Sequence, residues 1–407
     1  MESPTTDSNR RVAIIGAGPV GLVLALKLAT LSLPSLVLEA EADISEALRA
    51  STFHPPTLDM LDGLEVAVPL IAQGLVTPDW QIRRHEDAAR AVFDLGVLRA
   101  DTAHPYRLQA EQWKLSRIIL AKLAAEHVGT VDIRFGCKVD TVVHGSGHVA
   151  LSGTGFDPIE VPYAIGCDGA RSLIRRAMGL DFAGDTYPET TILATTPFPF
   201  HDVFEGLSNV NYVWTQHPAF SGTFSLLRVP GLWRASLHTA PGETVEQALE
   251  PEAIERKLQA IHAKPTPYEV PDLRPYRIHQ RIADTYRIGR LLLAGDAAHL
   301  NSPSGGMGMN GGIHDAIELA ETLAPVWRGE ADAALLDRYT RRRQPIASRE
   351  IIAQADRNRA RMRETDPARR AVLLADLQAT AGDPDKSREH LLRSSMISGL
   401  RAAARIA

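Results

Sequence analysis

Cysteine is almost missing from this 407-residue chain: Cys137 and Cys167 are the only two, and no C-x-x-C pair exists. That excludes a disulfide scaffold, a cysteine-built zinc site and a vicinal redox dithiol, and leaves both thiols as small core residues. No metal site is expected. No run of about 18 apolar residues occurs, so nothing reads as a membrane span. Positive charge is not in excess either: 44 Lys and Arg face 49 Asp and Glu, a net charge of -5. A dedicated nucleic-acid binder would carry a basic footprint. Met1 to Arg11 lacks the apolar centre of a signal peptide, and residues 1–9 read as a disordered leader. The expectation is a cytoplasmic protein that binds neither nucleic acid nor membrane. No internal repeat is visible.

What is present suits a large soluble core. The chain is 44% hydrophobic and 23% charged, long enough for about two to three domains. Its organising stretch is Val12-Ala13-Ile14-Ile15 followed by Gly16, Gly18 and Gly21, then an apolar helix through Leu31. Four apolar residues predict a buried strand. In the G-x-G-x-x-G spacing, Gly16 allows a tight turn, Gly18 lets backbone approach a pyrophosphate, and Gly21 lets helix pack on strand. The helix N-terminus adds free N–H groups and partial positive charge. A second short strand, Leu36-Val37-Leu38, ends in Glu39, where a carboxylate can accept hydrogen bonds from a ribose.

Further along, residues 75–100 alternate apolar and polar positions and predict strands of a different, antiparallel sheet. A helix is expected over 112–126, then strands near 131–135 and 139–143, and a buried strand Tyr163–Gly166 leading into Cys167-Asp168-Gly169. From about 185 to 284, strand-like runs alternate with Pro and Gly turns, with one helix near 250–262. Leu291–Leu293 predicts another buried strand, ending in Ala294-Gly295-Asp296. A glycine-rich loop, 305–312, then opens a helix whose apolar stripe includes Ile313, Ala316, Ala320 and Leu323. The arginine-rich tail reads as a solvated or dimer-facing helix, because acids are interleaved with its arginines. Three buried strands thus end in polar or flexible loops. In an open α/β sheet ligands bind beyond the carboxyl ends of the strands, so these loops can converge on one dinucleotide.

The three ordered motifs, Gly16/Gly18/Gly21, Asp168-Gly169 with Arg175, and Gly295-Asp296 with His299, resemble those of the single-component FAD-dependent aromatic hydroxylases. The para-hydroxybenzoate hydroxylases typify that family. The resemblance covers about residues 10–345. It implies an α/β fold with a Rossmann-like FAD-binding domain, an inserted mainly antiparallel β-sheet substrate domain and a helical C-terminal segment. The corresponding boundaries are 10–72, 104–184 and 285–345 for FAD, 73–103 and 185–284 for substrate, and 346–407 for the tail. It also implies that Glu39 binds the adenosine ribose, Arg49 the pyrophosphate, Asp296 the ribityl hydroxyls, and that Gln109 lies near the flavin. Asp168 belongs to the same cofactor set. Pro303 would lie over the reacting face, and Gly308, Met309 and Asn310 would put backbone N–H groups at the flavin pyrimidine edge. A helix N-terminus there suits the anionic reduced ring.

The implied reaction uses NADH or NADPH and O2 to hydroxylate a small phenolic or hydroxy-heteroaromatic substrate through a flavin hydroperoxide. A homodimer is compatible with the family. As in the family it resembles, no separate Rossmann domain for NAD(P)H is expected, and the nicotinamide would bind transiently in a cleft. The reaction gains from removing a ring hydroxyl proton, a task for a histidine of near-neutral pKa. His54 and His217 are the candidate bases, and His299 reads as structural. Ser51, Tyr212 and Trp214 are candidates for the substrate pocket. No tyrosine follows Tyr339, unlike the prototype, which argues against para-hydroxybenzoate itself. The competing readings are an FAD-dependent epoxidase or oxidase, and a non-catalytic flavin-binding protein.

Overall fold

The computed structural model describes residues 10–240, 242–303 and 305–407; the leader expected at residues 1–9 lies outside them. The centre is a six-stranded sheet. Its spatial order is Arg287–Ile288, Leu291–Leu293, Tyr163–Gly166, Val12–Ile15, Ser35–Leu38 and Val131–Arg134. The last five run parallel, and the first pairs antiparallel at one edge. Val12–Ile15, Ser35–Leu38, Tyr163–Gly166 and Leu291–Leu293 are buried at every position. This is the pattern of parallel strands covered on both faces. Helices Pro19–Thr30 and Met307–Trp327 pack on the sheet and on one another, which explains the run of small and apolar residues they share.

A second sheet has eight strands: His299–Leu300, Asp272–Ile282, Ala183–Thr196, Leu232–His238, Thr223–Val229, Val210–Trp214, Asp79–Arg84 and Arg90–Asp94. It is antiparallel except where Val210–Trp214 runs parallel to Asp79–Arg84. Successive side chains on a strand point to opposite faces. Val213 therefore joins Phe224, Leu226 and Trp233 against helix Pro251–Ile261, while Val210 and Trp214 join Trp80 and Phe93 on the other face. That other face is covered by Leu374, Leu377 and Leu391 of helices Pro367–Gly382 and Pro384–Ser394.

Two sequence expectations are corrected here. Leu75–Thr77 does not enter the large sheet. It pairs with Arg107–Gln109, which also pairs with Thr52–Phe53, in a small third sheet. The tail arginines are not simply solvated. Arg343 is 1% exposed and ion-paired with Asp315, and Arg370 is buried, donating to the carbonyls of Thr215 and Gly222. These two turn inward because they satisfy buried acceptors, while Arg341, Arg357 and Arg363 stay exposed. No helix among the described residues is long and apolar enough to cross a membrane, and none of their His, Cys, Asp and Glu residues group as a metal site.

Candidate active site

Four adjacent parallel strands end at one edge and carry Asp296, Cys167-Asp168, Gly16 and Glu39 in spatial order. Gly16 has φ +104, and a Cβ there would stand 2.5 Å from the Cys167 carbonyl oxygen. A Cβ on Gly21 would meet the Gly16 oxygen at 2.1 Å, so any side chain forces helix from strand. Gly18 differs: a Cβ would meet nothing within 4 Å, so it faces open space. The Glu39 carboxylate accepts from the backbone N–H of Ala17 at 2.6 Å and of Glu41 at 3.0 Å, which holds it against the glycine turn.

The other two motifs are tied to each other. Arg175 donates through one Nη to the Ala297 carbonyl at 2.7 Å and through the other to Ala170 at 2.8 Å, and lies over the Phe182 ring. One oxygen of Asp168 accepts from the Leu173 N–H at 2.6 Å; the other is buried without a protein partner. Burial pushes the Asp168 carboxyl up, against the hydrogen bonds from Ser172 and Leu173. Asp296 is solvent-accessible, yet desolvation raises its carboxyl while the charges of His299 and Arg49 pull it down. Accessible atoms hemmed in by protein are the mark of a side chain at the bottom of a cleft. Arg49 is exposed and acts on that cleft by its charge.

A buried network that sequence reasoning missed clamps these loops. Asp315, fully buried in helix Met307–Trp327, accepts from Arg343 Nε at 2.7 Å and from the Gly295 N–H at 3.2 Å. It also pairs with His299 Nε2 at 2.7 Å. Arg343 Nη2 donates to the Gly311 carbonyl. Desolvation alone would raise Asp315; the charge of Arg343 and the contacts of His299 overturn that and hold it at about 2. A carboxylate in the apolar stripe beside Ile313 and Ala316 was the available signal.

On the opposite wall, the small sheet sets Ser51, Thr52, His54 and Gln109 side by side. Gln109 donates to the Thr52 hydroxyl at 3.0 Å, and Ser51 Oγ accepts from buried Arg234 at 2.7 Å. Asn310 turns its side chain inward: it accepts from the His54 N–H and donates to the Thr52 and Gly306 carbonyls. Its backbone, with Gly308 and Met309, occupies the first helical turn, where N–H groups lack intrahelical acceptors. Gly306 has φ +68 and its N–H donates to the carbonyl of Pro303, which is itself exposed.

Neither candidate base lines the pocket described below. His54 is 0% exposed and its Nε2 sits 2.8 Å from the Gly305 carbonyl, so the ring donates there and secures the glycine loop. Desolvation, then the Arg107 charge, depress its pKa well below the ordinary 6.5. It is a neutral tether. His217 is exposed in a turn, where its ring accepts from the Ala219 N–H. Trp214 is fully buried under the tail, its Nε1 donating to the Arg361 carbonyl, and is core. Tyr212, on the same strand face, does reach a pocket of about 450 Å³ including its mouth, which Trp80, Arg107, Gly305 and His390 also line. Arg107 shares its strand face with Gln109, two residues on; His390 gave no sequence signal.

This cradle fits an extended dinucleotide: open space at Gly18, an unpartnered oxygen on Asp168, and a desolvated but accessible Asp296. Fold and cradle together define a dinucleotide-binding α/β protein with a chamber lined by Gly305, Trp80 and Tyr212. Comparison with known proteins sharpens that class. A family model described as an FAD binding domain matches residues 9–354. The para-nitrophenol 4-monooxygenase of Pseudomonas sp. strain WBC-3 is 34% identical over 401 residues, 96% of this chain and 96% of that one. The 6-hydroxy-3-succinoylpyridine 3-monooxygenase of Pseudomonas putida is 34% identical over 336 residues, 81% of this chain and 82% of that one. The crystal structure of a p-nitrophenol 4-monooxygenase from Pseudomonas putida matches with TM-score 0.87 at 32% identity, covering 96% of this chain and 98% of that one. The chain belongs to this FAD-binding family of flavoprotein aromatic hydroxylases and is an FAD-dependent monooxygenase.

A direct consequence concerns Asp296. Asp296→Ala should purify with little or no FAD, read as the ratio of flavin to protein absorbance. A fully loaded yellow variant would remove Asp296 from the cofactor set.

Proposed function

We propose that the chain hydroxylates a small, single-ring phenol or hydroxy-heteroaromatic, consuming NADH or NADPH and O2. The observation that carries this reading is the pocket where Gly305 meets Trp80 and Tyr212 of the large sheet. It lies beside the loop of Pro303, and its walls are aromatic. The compounds named for two relatives, para-nitrophenol and 6-hydroxy-3-succinoylpyridine, are both single-ring hydroxyaromatics.

In this reading Gly16, Gly18 and Gly21 receive the pyrophosphate with Arg49, Glu39 receives the adenosine ribose, and Asp296 the ribityl chain. Asp168 supports the same cradle. Gln109 faces the ring, and the helix start at Gly308, Met309 and Asn310 faces its pyrimidine edge. Bound FAD supplies hydride acceptance from the nicotinamide and activation of O2. The protein's part is positional. The His54–Gly305 bond and the Asn310 side chain fix the glycine loop, and Trp80 and Tyr212 keep water from the chamber, which such chemistry needs. Ser51 lies behind Gln109. The division into a discontinuous FAD unit, a sheet unit and a tail that closes the chamber belongs to the same reading; His299–Leu300 and Leu75–Thr77 each pair across its boundaries. A need for NAD(P)H suits a cytoplasmic protein.

The test is NAD(P)H oxidation by the flavin-loaded protein over a panel of single-ring phenols and hydroxypyridines. At least one should raise the rate severalfold over the rate without ligand. A rate indifferent to every member would overturn the proposal.

A further inference from the structure

Buried polar atoms normally find partners, so atoms that lack one point to a ligand. Four such atoms collect in one place: Arg107 Nε, Trp80 Nε1, His390 Nε2 and Ser394 Oγ are all buried without a partner, and their residues all line the pocket described above. They come from three elements, the small sheet, the large sheet and helix Pro384–Ser394. Arg107 stands 5.2 Å from the Trp80 ring centroid, and His390 lies 5.9 Å from that ring and stacks on Phe93 at 4.5 Å. So both cluster around one indole.

The charges are one-sided. The lining includes two arginines, Arg107 and Arg361, and no carboxylate. Arg107 is 2% exposed, and among the described residues no ion pair involves it; the Tyr212 hydroxyl is the polar group that faces it. Arg361 is likewise without a carboxylate partner among the described residues, and Arg357 and Arg393 add positive charge on the tail side. Desolvation, then Arg361, Arg393 and Arg107, depress His390 to about 4, so its ring is neutral at pH 7. A buried guanidinium without a counter-charge costs stability until something pairs with it.

Resting on the hydroxylase reading above, we propose that this pocket binds its aromatic substrate as an anion. Arg107 receives the ionised ring oxygen or an equivalent oxyanion, and His390 on the tail hydrogen-bonds the bound ring's polar substituent. Arg107 and His390 are thus specificity-determining residues, and the C-terminal helices form part of the active site. Binding of the ionised form shifts the phenol equilibrium without any protein base: the proton leaves to solvent before or as the ring enters. This accounts for the failure of His54 and His217 to face the chamber.

The test uses the flavin-loaded protein without NAD(P)H and two probes, 4-nitrophenol and 4-nitrotoluene, which has no ionisable oxygen. Absorbance separates the neutral and ionised forms of bound 4-nitrophenol. Its pKa should fall by about 1–3 units on binding, the effect of an adjacent opposite charge. Arg107→Met should weaken 4-nitrophenol by about tenfold to a hundredfold, as for a lost charge-assisted hydrogen bond, and leave 4-nitrotoluene little changed. Arg107→Lys should recover part of the loss. His390→Leu should weaken 4-nitrophenol and His390→Gln should retain it. Flavin content and the urea midpoint of each variant show that it is folded. An unshifted bound pKa, equal losses for both probes in Arg107→Met, or no binding of 4-nitrophenol would each overturn the inference. The hydroxylase reading falls separately, when no aromatic of the wider panel stimulates NAD(P)H oxidation.

Discussion

Asp315→Ala is expected to lose about 3–5 kcal/mol of stability and its FAD together. The carboxylate is fully buried and Arg343 is 1% exposed. Removing one partner of a buried pair strands the other charge in a medium that cannot solvate it, and that sets the magnitude. The same carboxylate accepts from the Gly295 N–H and pairs with His299, so the loop that presents Asp296 loses its anchor as well. On the far side Arg343 holds the Gly311 carbonyl in the glycine-rich helix start. Urea unfolding followed by tryptophan fluorescence gives the stability, and flavin absorbance gives the loading. The double variant Asp315→Ala, Arg343→Met should recover part of the stability, since an apolar pair leaves no stranded charge. A single variant within about 1 kcal/mol of the parent would show that the pair is not anchoring the loops.

Acidification should destabilise the fold well above the pH at which its carboxylates titrate. His54 and His314 are buried, and both are held neutral. Desolvation and then the Arg343 charge take His314 to about 3, and desolvation and then Arg107 take His54 well below its ordinary value. The unfolded chain binds a proton at each near pH 6.5, whereas the folded chain does not until far lower. Their contribution is therefore fully present above about 6.5 and lost as pH falls, over a window reaching about 3 for His314. The slope is about 1.4 kcal/mol per pH unit for each histidine. Asp315 has the same sign lower down: its folded pKa is depressed from 3.8 to about 2, so its contribution disappears only below 3.8. Urea unfolding at pH 7 and pH 5 should show the loss, and the double variant His54→Gln, His314→Gln should have a flatter slope. Equal stability at the two pH values would contradict the assignment.

The cofactor edge was legible in the sequence because backbone contacts dictate it. Gly16 and Gly21 lie so close to neighbouring carbonyls that no other residue fits, and such constraints leave a spacing that can be read directly. Alternation also placed Tyr212 and Trp214 on one strand face. It could not say what covers that face. The tail helices bury Trp214 and leave Tyr212 at the chamber, a choice made by chain segments about 150 residues apart. The same limit hid His390 and Arg107. Each is unremarkable in its own segment, and only long-range packing brings both to Trp80. The tail arginines misled for a related reason: interleaved acids suggest solvation, but the partner of Arg343 is Asp315 on another helix.

The most direct measurement follows oxygen and electrons together. The flavin-loaded protein is given NADH or NADPH, isotopically labelled O2 and the single-ring hydroxyaromatic that best stimulates oxidation. The account predicts one labelled oxygen on the product ring and nearly one product per NAD(P)H consumed. An untouched ring with all electrons recovered as hydrogen peroxide, for every aromatic that binds, would contradict it.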